Sequence, residues 1–503
     1  MPPFTYRVRQ ALFSGRLRHV TALGAGALCV TAFAPIGWWA TVFVSLYVLI
    51  RLWESDSPGQ MFIEGWWFGL GLFGAGVSWV YVSMAVYGGM SSWLAAMATL
   101  LFCAFLALFP AATGWLAARM SKPGPGRLLV FIPACWVLME WIRGWILSGF
   151  PWLAIGYAQV PDGWLAGYAP IFGVYGLSAL SLFAAGALAW LFQRAWIPGA
   201  WVLPFALLVG VLASGEALRH IEWTKPEGLP VTVALLQGNI PQEMKWRPER
   251  AAQTLADYAG RIESSQAKLI VLPETALPVF YSQLPAAYLD GMTQLARERG
   301  ADILAGVPTG DINGAYFNSV VSLGASPMQF YHKQHLVAFG EYVPKGFDWI
   351  VNVLHIPLSD FERGSKHQPP ILAAGQRIAV NICYEDVFGH EIIRALPQAT
   401  LLVNVTNDAW FGDSLASWQH AQMSQMRALE TGRYMLRATN TGVTAIVDQN
   451  GYVKAVLPEF EAGTLEGKVQ GYSGMTPYAR WGNYPVLIGV AMLLLIGAVR
   501  QRP

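Results

Sequence analysis

Seven apolar segments follow one another between Val20 and Ser214, and an eighth runs from Tyr484 to Val499. The first seven are Val20–Ala34, Trp38–Ile50, Met61–Met84, Trp93–Ala118, Leu128–Trp141, Trp164–Phe192 and Trp196–Ser214. A helix needs roughly 20 apolar residues to cross a bilayer, and several of these approach that length, with Trp38–Ile50 the shortest. Few charges interrupt them. Up to residue 220 the acidic residues are Glu54, Asp56, Glu64, Glu140, Asp162 and Glu216, out of 31 in the whole chain. The charged share is 13%, about half the roughly 25% usual in soluble domains, and 22 tryptophans suit interfacial aromatic belts. The pattern predicts a multi-pass helical membrane domain followed by a solvated one.

Arg7, Arg9, Arg16 and Arg18 precede the first segment, and Ala32-Phe33-Ala34 imitates a signal-peptidase site. Pro35 would follow the cut and further spans come at once, so a retained first helix is expected. Orientation follows from Lys and Arg at the segment ends. With the N-terminus inside, the internal flanks hold those four arginines and Arg51, Arg119, Lys122, Arg127, Arg194, Arg500 and Arg502, while the short external loops hold Arg143 alone. Residues ~220–475 are thereby placed outside the cytoplasm. Gly69, Gly71, Gly74, Ala75 and Gly76 would let helices pack closely. Glu140 and Arg143, three residues apart on one helix face, are expected to pair near the external interface and to hold the loop Gly144–Pro161.

From Leu229 the texture changes. Val231–Leu236, Leu269–Leu272, Ile303–Val307, Phe317–Leu323, Ile378–Ile382, Leu401–Val405 and Val443–Val447 read as strands. Ala251–Ser264, Ala286–Arg299 and His420–Arg437 read as helices, which together indicate an α/β domain with a buried sheet.

The chemistry in this domain lies just beyond strands. Ile378–Ile382 stops at Cys383, and a helix-like stretch Val387–Ala395 follows; such a turn presents the sulfur at a sheet edge, where a helix N-terminus favours thiolate. A small buried hydrophobe is the alternative for a free cysteine. Leu269–Leu272 runs into Pro273-Glu274-Thr275, and the strand-like Ser326–Phe330 runs into Tyr331-His332-Lys333. A Glu, a Lys and a Cys converging at one edge suit acyl transfer, with Glu274 as general base, Cys383 as nucleophile and Lys333 at the oxyanion. Cys29, Cys103 and Cys135 lie in apolar segments, and no metal-ligand spacing or disulfide framework is present, so neither metal nor cofactor is expected. With a formal charge of +2 and no basic cluster interleaved with aromatics, a nucleic-acid partner is excluded.

This ordered set resembles the nitrilase, or carbon–nitrogen hydrolase, superfamily, and more closely its membrane branch. The resemblance rests on Gln237-Gly238-Asn239-Ile240-Pro241-Gln242 with Lys245-Trp246, on Leu272-Pro273-Glu274-Thr275, and on Lys333 with Phe339-Gly340-Glu341-Tyr342-Val343-Pro344. It continues in Cys383-Tyr384-Glu385 and Asn404-Val405-Thr406-Asn407-Asp408-Ala409-Trp410-Phe411-Gly412, and reaches the membrane part through Glu140–Gly144 and Gly149–Trp152.

The resemblance implies an αββα sandwich for residues 221–475, between a membrane domain at 1–220 with about seven helices and a last membrane helix in 476–503. It implies an enzyme of the bacterial inner membrane with its catalytic domain in the periplasm. The implied reaction moves a fatty acyl chain from a phospholipid, through a thioester on Cys383, to the α-amine of a diacylglyceryl-modified N-terminal cysteine of an apolipoprotein. Glu341 and Glu385 would be supporting carboxylates, and the Tyr384 N–H an oxyanion donor beside Lys333. Trp246, in the loop after the first strand, either lines the acyl or headgroup path or is an ordinary interfacial tryptophan. The apolar stretch Phe347–Leu358, with Trp349 and Leu354, is either core or a lid that guides an acyl chain. Two other functions compete: a membrane-tethered amidase or nitrilase that uses water, and a transporter with an external ligand-binding domain.

Overall fold

The computed structural model describes residues 15, 17–54, 57–311, 314–343 and 360–500. These divide into two compact units: a helical one, comprising residues up to Tyr81, Trp93–Glu222 and Trp481 onward, and a second one of Val82–Ser92 with Trp223–Arg480.

In the helical unit the apolar segments form the helices Leu17–Cys29, Thr41–Leu52, Pro58–Gly76, Ser92–Met120, Ile132–Arg143, Ala169–Arg194, Val202–Leu218 and Tyr484–Arg500. Among the described residues Ser92–Met120 and Ala166–Arg194 are each long and apolar enough to cross a membrane, and Leu17–Ala32, Thr41–Leu52, Val202–Leu218 and Tyr484–Val499 are shorter apolar helices. The segment expected as Met61–Met84 is not one straight helix. It starts at Pro58, where Ser57 Oγ caps the Gln60 N–H at 3.4 Å, and bends by 59° before Val80–Tyr87.

Gly69, Gly71 and Gly76 are buried in close approaches, and a Cβ at Gly71 would collide with the Leu23 carbonyl. Gly74 and Ala75 instead face outward and pack nothing closely. Glu140 and Arg143 are both buried and both grip the following loop. Glu140 Oε1 accepts from the Trp136 indole and the Ile155 N–H, each at 2.8 Å. Arg143 Nη1 donates to the carbonyls of Phe150 and Trp152 at 2.7 and 2.6 Å.

Among the described residues the second unit holds twelve strands: β1 Thr224–Gln237, β2 Leu269–Val271, β3 Asp302–Gly310, β4 Tyr316–Gly324, β5 Phe330–His332, β6 Ile371–Ala373, β7 Gln376–Ile382, β8 Leu401–Thr406, β9 Met435–Thr439, β10 Ala445–Val447, β11 Val453–Val456 and β12 Gly463–Gly474. They make two six-stranded sheets, ordered β12-β1-β2-β3-β4-β5 and β11-β10-β9-β8-β7-β6. Strand alternation explains the layering. Val233, Leu235, Val271, Leu304 and Val320 of one sheet pack against Val380, Ile382, Val403, Val405 and Leu436 of the other, which fills the space between the sheets. The alternate residues of the first sheet, Ala234, Leu236, Ile270 and Ile303, pack on Leu255, Tyr258 and Ile262 of the helix Pro248–Ser264 and on Met292 and Ala296 of Ala286–Glu298. Ala379, Leu402 and Met435 of the second sheet pack on Ala421 and Ala428 of the helix Ala416–Thr431. The order of layers is αββα.

Four sequence expectations need correction. The helix expected to reach Arg437 stops at Thr431, because Gly432 adopts a left-handed φ of 64° and the chain turns into β9. The stretch Val387–Ala395 is no continuous helix but a four-residue turn, Gly389–Ile392, extended by a 3-10 turn. Residues Ser326–Gln329 lie outside any strand, and β5 begins at Phe330. Val82–Ser92, read as membrane segment and loop, folds with the sandwich: Ser83 Oγ donates to the Trp410 carbonyl at 2.8 Å, and the Tyr87 and Trp410 rings meet edge to face at 6.2 Å.

Candidate active site

The residues singled out from the sequence sit at the ends of strands from both sheets. Glu274 follows β2, Lys333 follows β5 and Cys383 follows β7. Non-glycine residues with positive φ mark this rim: Asn239 at 50°, Thr275 at 45°, Phe339 at 63° and Cys383 at 53°. Each costs about 1–3 kcal/mol, and such strain collects where side chains must be aimed.

Lys333 is buried and lies between two carboxylates, with Nζ at 3.4 Å from Glu274 Oε1 and 2.8 Å from Glu341. Burial pulls the ammonium's pKa down, but the charges of Glu341, Glu274 and Cys383 reverse this and hold it above the usual lysine value. Asn318 of β4 donates to both carboxylates, at 2.7 Å to Glu274 Oε1 and 2.9 Å to Glu341 Oε1. Glu341 also accepts the Val337 N–H at 2.9 Å, which fixes it to the loop that carries Lys333.

Cys383 is partly buried. Its thiol is pushed up by burial and by the Glu274 charge, while Lys333 pulls the other way. The five-residue turn Cys383–Val387 does not lower it as a full helix N-terminus would. The sulfur therefore rests as a thiol, and a base is needed to ionise it.

Glu385 is fully buried and joins the Lys333 loop to the end of β7. One oxygen accepts the N–H groups of Gln334 (2.7 Å) and His335 (3.1 Å); the other accepts the Ile382 N–H (2.7 Å) and the Tyr331 hydroxyl (3.0 Å). Burial nonetheless raises its pKa to about 7. Tyr384 follows Cys383 in the turn, and its ring packs edge to face on Phe388 at 5.3 Å. Trp246 is half-buried in the turn after β1. Trp349 and Leu354, with the rest of Phe347–Leu358 (344–359 in all), lie outside the described residues.

Sequence reasoning passed over several residues. Lys245 was quoted only as part of a motif, yet it is a second buried lysine, and Nζ donates to the Glu274 carbonyl at 3.0 Å. Burial lowers its pKa to about 8, against the pull of Glu274 and Cys383. Asn404 likewise appears only as part of a motif, and Asn318 and Arg437 were missed. The signal available was one polar residue inside an otherwise apolar strand, as in Val-Asn-Val around Asn404 and Leu-Arg-Ala around Arg437; Asn318, in Phe-Asn-Ser, lacks it.

An αββα sandwich whose strand ends gather a Glu, a Lys and a Cys defines a carbon–nitrogen hydrolase, and the family model described as carbon-nitrogen hydrolase matches residues 232–478. The helical part is matched by the model of the apolipoprotein N-acyltransferase N-terminal domain over residues 25–187. The chain is 50% identical to the apolipoprotein N-acyltransferase of Nitrosomonas europaea over 97% of its length and 98% of the relative's. It is 47% identical to that of Methylococcus capsulatus over 96% of each chain. The protein belongs to the apolipoprotein N-acyltransferase family. Among solved structures, the C. elegans NitFhit protein is 16% identical and covers 55% of this chain and 65% of its own, at a TM-score of 0.39.

Proposed function

We propose that the protein transfers a fatty acyl chain from a membrane phospholipid to the α-amine of the diacylglyceryl-cysteine that begins an apolipoprotein. The observation that carries this reading is a cysteine thiol grouped with a lysine and two carboxylates, in a chain half identical to an apolipoprotein N-acyltransferase. Glu274 takes the proton from Cys383, and the sulfur attacks an ester carbonyl of the phospholipid. The C–S bond forms, the ester C–O bond breaks, and the lysophospholipid leaves with the proton that Glu274 returns. The acceptor amine then attacks the thioester; a C–N bond forms, the C–S bond breaks, and Glu274 moves the amine proton to the departing sulfur. Lys333 and the Tyr384 N–H stabilise the oxyanion in both steps. Glu341 and Glu385 hold Lys333 and the nucleophile turn in register, and Trp246 lines the substrate path.

The choice of acceptor tests this. Protein carrying a labelled acyl group on Cys383 discharges it to a diacylglyceryl peptide with a free N-terminal amine and not to the N-acetylated peptide. Discharge to water at the same rate as to the amine would make the protein a hydrolase.

The topology belongs to the same proposal. Seven spans in residues 1–220 and one in 476–503 leave 221–475 in the periplasm of a bacterial inner membrane, supported by the eleven cationic internal flanks against Arg143. Reporter fusions after Ala217 and after Arg502 are expected to report opposite compartments. The same compartment at both junctions would end the eight-span arrangement.

A further inference from the structure

Behind Cys383, on the face of the second sheet that packs against the helix Ala416–Thr431, lies a buried polar row. β7, β8 and β9 run parallel, and Asn381, Asn404 and Arg437 occupy the same register position on the three strands. Each is almost wholly buried. Asn404 Nδ2 donates to Asn381 Oδ1 at 2.7 Å and to the carbonyl of Cys383 at 3.0 Å. Arg437 Nη1 donates to Asn404 Oδ1 at 2.9 Å, which fixes the amide so that its donor end faces the cysteine.

Arg437 has other partners that tie the same row to three further segments. Nη1 meets Asp386 Oδ2 and Ser424 Oγ, each at 3.1 Å, and Nη2 meets Asp408 Oδ2 at 2.7 Å. His420 bridges the two aspartates, with Nε2 at 2.8 Å from Asp386 and Nδ1 at 3.0 Å from Asp408. Asp386 lies in the turn that Cys383 opens, and Thr406, at the end of β8, donates to Asp408 at 3.2 Å. The nucleophile is thus held from its carbonyl and from its turn by one connected set of side chains. A buried set of this kind is expensive unless fully paired, and hydrophobic residues would serve stability as well. Its placement calls for a reason.

That reason is the backbone of Cys383. At φ 53° a cysteine occupies the left-handed conformation that residues with a Cβ disfavour. Without an anchor on its carbonyl the residue relaxes toward extended backbone and carries Sγ away from Glu274 and Lys333.

We infer that Asn404, oriented by Arg437, is a positioning residue that holds Cys383 in its left-handed conformation and so aims the thiol at the acyl donor. The inference rests on Cys383 being the nucleophile. Asn404 touches no reacting atom; it acts through the cysteine's main chain.

Asn404→Asp separates positioning from structure. The carboxylate keeps the size and the bond to Arg437, but turns an acceptor toward two oxygens that need a donor. The expected result is thioester formation on Cys383 from acyl-labelled phospholipid slowed by about 10²-fold, the order that follows a misplacement of about 1 Å. KM for the phospholipid stays within about twofold and the melting temperature within a few degrees. Arg437→Lys keeps the charge but not the fork that reaches both Asn404 and Asp408, and is expected to show the same loss in kcat without the loss in KM. Asn404→Asp labelling at the wild-type rate overturns the inference. So does a fall in rate matched in both variants by loss of the folded state, which would make the row purely structural. Cys383→Ala protein run alongside keeps the two questions apart: if it still takes up label, the nucleophile assignment has failed and not the positioning role.

Discussion

Cys383→Ala protein given acyl-labelled phospholipid takes up no label, while the wild-type chain acquires a hydroxylamine-sensitive thioester and releases lysophospholipid. Covalent transfer splits into two half-reactions, so the first runs without an acceptor. No other thiol replaces Cys383, because Cys29, Cys103 and Cys135 are buried in the helical unit. Burial and the Glu274 charge keep the Cys383 thiol protonated at neutral pH, so the step needs a base. Glu274→Gln keeps the length of the side chain and the Asn318 contact but cannot take the proton. Its acylation is expected to fall by about 10²–10⁴-fold and to recover in part as pH rises and the thiol ionises by itself. Mass analysis of the Cys383 peptide reads both results. Label on Cys383→Ala protein would remove the cysteine from the mechanism.

The rim of the sandwich was legible at Glu274 and Cys383 because each ends a short apolar run, and the ends of parallel strands are where ligands meet; Lys333, after the antiparallel β5, was legible through its motif. The core strands were legible for the same reason: Ile378–Ile382 and Leu401–Val405 are buried on both faces and read as continuous apolar runs. β9 was not, since Met435-Leu436-Arg437-Ala438-Thr439 continues the helical pattern before it; only Gly432 marks the turn. β12 escaped for another reason. Gly463–Gly474 carries four glycines and three charged or amide side chains in twelve residues, and its place is set by antiparallel pairing with β1 rather than by its own propensity.

The polar residues behind the site were the hardest to read. A lone Asn or Arg in an apolar run looks like an error of register until the three strands lie side by side; cross-strand neighbours 23 and 33 residues apart in sequence then form one hydrogen-bonded row. The membrane part failed differently. Hydropathy locates apolar stretches but not the break after Gly76, where the segment turns by 59° and its far end joins the sandwich. Small residues in a helix likewise do not reveal which of them meet a neighbour: Gly71 does and Gly74 does not.

The second large effect is expected at Lys333. Lys333→Met keeps much of the side-chain length and removes the charge, leaving Glu274 and Glu341 joined only through the Asn318 amide at 2.7 and 2.9 Å. The two carboxylates then repel each other with no cation between them, which disturbs the position of Glu274. The oxyanion donor goes as well, and its removal alone costs about 10²–10³ in rate. Acylation of Cys383 is therefore expected to fall by more than about 10³-fold at neutral pH, with a lowered melting temperature. Adding Glu341→Gln removes the second carboxylate, so the double variant should regain most of the melting temperature while acylation stays low, because the oxyanion is still unsupported. Recovery of acylation in the double variant would assign Lys333 the single task of neutralising Glu341. Acylation by Lys333→Met within about tenfold of wild type would remove the lysine from the chemistry altogether.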